Sequence, residues 1–139
     1  MMINRFLSPF GIILFLTIKL SAQMMTPEQV VQKQLDAYNQ RNIDQFMSTM
    51  DPEVVFYNFA NGERTMEGAA ACKAYYADLF ENSPKLHSNI LNRTVFGNKV
   101  IDHESIIGRN GSAEVVELVL IYQVDLAKIT KVTVLRKHD

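Results

Sequence analysis

Residues 91–107, LNRTVFGNKVIDHESII, decide the fold. Two runs rich in β-branched residues flank Gly97-Asn98, and a two-residue loop with glycine first suits a type II′ hairpin turn. The loop fixes the register. Phe96 then faces Lys99, Val95 faces Val100, Thr94 faces Ile101, Arg93 faces Asp102, and Glu104 falls opposite Leu91. Opposite residues of an antiparallel pair share a sheet face, with Cβ atoms roughly 5 Å apart. Side chains alternate along a strand, so Asp102 and Glu104 point one way with Arg93, and His103 points the other with Asn92, Thr94 and Ile101. The same-face neighbours of the Arg-carboxylate group are Val95, Val100 and Ile106, which are apolar. An arginine and two carboxylates in apolar company form the polar end of a lined cavity, or else a cross-strand ion pair on a wet face.

Downstream of the hairpin the chain stays extended. RNGS (109–112) makes a turn before two long strand-like runs, EVVELVLIYQV (114–124) and KITKVTVLRKH (128–138). Their connector DLAK (125–128) lacks the glycine a tight turn favours. Upstream the period changes. TPEQVVQKQLDAYNQRN (26–42) opens with Thr26 as helix cap and Pro27 at the first helical position, and Val31, Leu35 and Tyr38 form one apolar stripe. A second helix follows, with Ile43, Phe46, Met47 and Met50 inward, and Pro52 stops it. VVFYNF (54–59) is a strand, and NGERTMEG (61–68) a turn or short extended link. A third helix runs from Gly68 to Phe80, with Cys72, Tyr76, Leu79 and Phe80 as its stripe. Helices gathered first and an antiparallel meander gathered last predict an α+β domain with helices on one face of a curved sheet.

Composition narrows the function classes. The 139 residues are 47% hydrophobic with net charge −1, so no basic surface invites nucleic acid. No His/Cys/Asp/Glu spacing resembles a metal site, no glycine-rich phosphate loop occurs, and no cofactor is implied. The single cysteine, Cys72, sits on an apolar helix stripe and reads as a buried thiol. Residues 1–23 read as an export signal. Arg5 precedes an apolar run from Phe6 to Ile18, and Ser21 and Ala22 supply a cleavage site. The run is too short for a bilayer span of about 20 residues. The expectation is a periplasmic or secreted protein, with a domain over 24–139 and no stable membrane span after cleavage.

The order of elements, with VVQKQLDAYNQRNIDQFMSTMDPEVVFYNF (30–59) and IYQVDLAKITKVTVL (121–135), resembles the nuclear transport factor 2-like superfamily, in its SnoaL-like and steroid Δ-isomerase-like branch. The resemblance implies a cone-shaped roll, also called cystatin-like, in which three N-terminal helices pack on a strongly bent, mainly antiparallel sheet around a ligand pocket. Positions that would face into the cone are Phe56, Asn58, Asp102, Glu104, Ile106, Leu118, Leu120 and Tyr122, with Gln34 and Tyr76 from the helices. It also implies a homodimer through the outer sheet face, around Glu117, Val119, Ile121 and Gln123. Ketosteroid isomerases carry an Asp where this chain has Asn58, a Tyr where it has Gln34 and a second Asp where it has Leu120. Enolisation needs a base and an acidic donor on one carbonyl, so that reaction is not expected. Arg93, Asp102, Glu104 and Asn58 are similar instead to the polar inventory of limonene-epoxide hydrolases.

Three functions follow. The first is an exported domain binding a small, partly apolar ligand. The second is an isomerase or hydrolase in which Glu104 is general acid or base, Asp102 holds Arg93, and Arg93 orients the substrate. The third is a non-catalytic dimerising module.

Overall fold

The computed structural model describes residues 22–138, so the expected export signal lies outside the described residues except for its last two. Helix α1 (Pro27–Asn39) starts in a capping box: the Gln29 N–H donates to Thr26 Oγ1 at 3.2 Å, and the Thr26 N–H donates to Gln29 Oε1 at 2.9 Å. It buries Val30, Val31, Gln34, Leu35, Ala37 and Tyr38. Helix α2 (Ile43–Met47) is a short turn that buries Phe46, and helix α3 (Ala69–Glu81) buries Cys72, Leu79 and Phe80.

Six strands form one sheet: β1 (Met50–Asn58), β2 (Arg64–Glu67), β3 (His87–Phe96), β4 (Lys99–Ile107), β5 (Val116–Asp125) and β6 (Lys128–Arg136). Their order is β2-β1-β6-β5-β4-β3. The meander β3 to β6 is antiparallel throughout, and β1 lies parallel to β6, with Phe56 beside Val132. The fold is thus α+β with a mixed, mainly antiparallel sheet. The helices pack on its inner face around Phe46, Val54, Leu86, Val100, Ile129 and Val132.

Two expectations change. Helix α2 ends before Pro52, which lies inside β1 rather than closing a helix. The β1–β6 register is irregular between Met50 and Val55, so a residue without an N–H breaks no ladder there. The stretch 61–68 is more than a link: Arg64–Glu67 is strand β2, with Met66 paired to Phe56.

The hairpin at Gly97-Asn98 has the expected register, and Gly97 alone of the two has positive φ, +61°, as a type II′ turn requires. The β5–β6 loop is different. Leu126 and Ala127 both have left-handed φ, +48° and +59°, between paired Asp125 and Lys128. That is type I′ geometry built from residues that resist it. Replacing Leu126→Asn together with Ala127→Gly should raise stability by about 1–2 kcal/mol in urea denaturation, because both residues then accept positive φ. A loss of stability would contradict this loop conformation.

Candidate functional site

One irregularity in β3 shapes the site. Ile90, not Leu91, lies opposite Glu104, because Leu91 is an extra residue bulged out between Ile90 and Asn92. The expected pairing of Glu104 with Leu91 is therefore corrected. A bulge reverses the facing of every residue beyond it. Leu91 stays 55% exposed, and Ser88, which an unbroken strand would turn outward, faces inward and is buried.

Ser88 thereby reaches Glu104. Its Oγ–H donates to Glu104 Oε2 at 2.8 Å, and the Tyr122 hydroxyl donates to Oε1 at 3.3 Å. Ser88 is itself held at the end of α1: Asn39 Oδ1 accepts from the Ser88 N–H at 2.8 Å, and Asn39 Nδ2 donates to the Ser88 carbonyl at 3.0 Å. Glu104 is 4% exposed. Burial pushes its carboxyl up to about 7, the Ser88 bond pulls down, and the charge of Asp102 pushes up again. Near neutral pH it can therefore either give or take a proton.

Arg93 does little to balance Glu104, acting on it least of the groups around it. Its Nε and Nη2 donate to the two oxygens of Asp102 at 2.7 and 2.8 Å, and its Nη1 donates to Gln32 Oε1 at 2.8 Å. The Asp102 side chain is fully buried, and that of Arg93 keeps 13% exposure. The pair is a bidentate lock between β3, β4 and α1. On the outer face, His103 pairs with Glu117, which also binds Lys137.

A cavity of about 200 Å³ lies between the helices and the sheet. Glu104, Phe56, Gln34, Tyr76, Ile106, Leu118, Leu120 and Tyr122 all line it. Asn58, Asp102 and Arg93 do not: Asn58 Oδ1 accepts from the Ala60 N–H in the β1–β2 turn, and Arg93 and Asp102 are closed on each other. The polar residues that resemble the inventory of limonene-epoxide hydrolases are thus not assembled around one space. The lining also includes residues that sequence reasoning passed over: Tyr38 read as core, Tyr75 lies off the apolar stripe of α3, Arg109 read as part of a turn, and Arg136 ends a strand. Tyr38, Phe46, Tyr76 and Phe80 stack at one side, with Phe46 and Tyr76 centroids 4.3 Å apart. Among the described residues, no group of three His, Cys, Asp or Glu side chains offers a metal site.

The lock predicts an asymmetry. Arg93→Met strands a carboxylate that has no exposure and should cost about 3–5 kcal/mol. Asp102→Asn leaves an arginine that reaches water and still has Gln32, so it should cost less. Denaturant titration of both variants checks the order, and the reverse order would contradict the burial assigned to the pair.

Residues 31–132 match the family described as a SnoaL-like domain. Solved structures share the architecture. An uncharacterized cystatin-fold protein from Novosphingobium aromaticivorans is 23% identical, with TM-score 0.73 over 81% of this chain and 99% of its own. An NTF2-like protein of unknown function from Cytophaga hutchinsonii is 16% identical, with TM-score 0.68 over 84% and 94%. A hypothetical protein with a ketosteroid isomerase-like fold from Catenulispora acidiphila, solved in complex with trimethylamine, is 18% identical, with TM-score 0.64 over 79% and 85%. No curated protein sequence matches the chain. At these identities the structural likeness carries the fold alone. The sequence match spans most of the domain, and the chain belongs to the SnoaL-like domain family, with an NTF2-like, cystatin-like fold.

Proposed function

We propose that the chain is an exported domain that binds a small, partly apolar organic molecule in the cavity, with Glu104 meeting the ligand's polar group. The observation that carries this reading is a buried carboxyl in a lined cavity whose only hydrogen-bonding side chains among the described residues, Ser88 and Tyr122, are neutral. At about 200 Å³ the cavity lies below the roughly 300–1,000 Å³ of sites for drug-sized ligands, which points to a smaller molecule. A second reading, acid–base catalysis on the bound molecule, is favoured by the carboxyl's position near 7, where a group can both donate and accept.

Glu104→Gln tests both readings. An unfolded glutamate releases its proton near 4.5 and the folded one near 7, so between them the folded state holds more protons and stability falls as pH rises. At about 1.4 kcal/mol per pH unit the window is worth about 3 kcal/mol. Glu104→Gln should abolish this fall and should be the more stable protein above pH 7. Native mass spectrometry of protein from its own host should show a small molecule held by the wild type and held more weakly by the variant. Retained binding with lost turnover would instead favour catalysis. No bound molecule and an unchanged pH profile would defeat the cavity reading.

Export and pairing complete the proposal: the N-terminal segment is removed between residues 21 and 24, and two copies meet through the outer face around Val119 and Ile121. Intact mass and light scattering on the host's protein test these two statements. A retained Met1 or Met2 would defeat the first, and a single-chain mass the second.

A further inference from the structure

We propose that the cavity selects an organic anion, a small monocarboxylic acid with a second polar group, whose carboxylate is held by Arg109 and Tyr75 at one end while the second group meets Glu104. This rests on the reading of the cavity as a ligand site and names the class of ligand it takes.

Arg109 and Tyr75 both line the cavity, and Arg109 Nη2 donates to the Tyr75 hydroxyl at 2.8 Å. Among the described residues Arg109 has no acidic partner, in contrast to Arg64 and Arg93, which have Glu67 and Asp102. Its remaining N–H groups and the Tyr75 O–H are donors, and a guanidinium fork matches the two oxygens of a carboxylate.

The turn that carries Arg109 is tightly built. Gly108 has φ +76°, and a Cβ there would fall 2.4 Å from the Lys85 carbonyl oxygen, so only glycine fits. On the other side the Asn110 N–H donates at 2.8 Å to Oγ of Ser83, which is fully buried. The Ser112 N–H closes the turn on the Arg109 carbonyl at 2.9 Å. The backbone of Arg109 is thus pinned from both neighbours, and its side chain is tied to Tyr75, which reduces the ordering that a ligand must otherwise bring about.

Two further observations agree. Arg136 lines the same cavity, so among the described residues its charged lining comprises two guanidinium groups against one carboxyl, Glu104. The Tyr38 hydroxyl, on a lining residue only 7% exposed, is buried without a hydrogen-bond partner among the described residues. Burial keeps it protonated, and it lines the cavity together with Arg109 and Glu104. An unpaired buried donor is destabilising until an acceptor arrives, and a ligand oxygen is such an acceptor.

The test is calorimetric titration of the full chain with small aryl and aliphatic monocarboxylates that carry a second polar group, and with their primary amides, which match them in size but lack the carboxylate charge. At least one acid should bind at least roughly ten-fold tighter than its amide. Arg109→Gln should weaken the acid roughly 10- to 100-fold and leave the amide unchanged, with Arg109→Lys intermediate. Tyr75→Phe, which removes only a hydroxyl, gives a second reading in the same direction if Arg109→Gln disturbs folding. Equal binding of acid and amide, or a preference that survives Arg109→Gln, overturns the anion proposal and leaves the cavity reading standing. Binding of neither series overturns both.

Discussion

Two carboxylates are buried on one face of β4, and the guanidinium of Arg93 on β3 makes its paired bonds to Asp102 rather than to Glu104. Arg93 meets Asp102 with two parallel bonds of 2.7 and 2.8 Å and turns its third nitrogen to Gln32. Glu104 is left with neutral donors in an apolar wall. A charge kept there has little to offset its desolvation, so the carboxyl favours its proton. The unequal division makes one carboxylate structural and the other chemically available. It also keeps Arg93 out of the cavity, whose guanidinium groups among the described residues are those of Arg109 and Arg136.

The division depends on backbone geometry as much as on charge. The bulge at Leu91 leaves Arg93 opposite Asp102 and reverses the strand beyond it, delivering Ser88 rather than Asn89 to the inner face. Asn39 then fixes Ser88 through both its backbone groups, so the end of α1, the start of β3 and the middle of β4 converge on one carboxyl. Bulges recur where a strand must re-aim a side chain. Here the consequence is a short, well-directed bond to Glu104.

Much of this was legible in the residues. The Gly97-Asn98 loop fixes a register in which Arg93 meets Asp102, and period-2 alternation sends His103 to the outer face. The capping signal at Thr26 starts α1 where it predicts. What escaped has physical causes. A single extra residue leaves no mark in a run such as SNILNR, so the Ser88 contact was invisible. Strand β2 is only four residues long and carries Arg64 and Glu67, a polar stretch that pairing alone makes into a strand. Arg109 sits in a turn whose residues announce a turn and nothing more. Its placement comes from the close packing of Gly108 on Lys85, a tertiary contact. Asn58 shares the alternation of Phe56, yet its side chain satisfies its own turn.

The most direct test is titration of the Glu104 carboxyl itself, by carbon NMR of side-chain-labelled protein with Glu104→Gln used to assign the signal. The expected midpoint is about 7 in the ligand-free protein, carried by a signal that the variant lacks. A midpoint at or below the ordinary 4.5 would contradict it, because the carboxyl would then be solvated or paired with a cation.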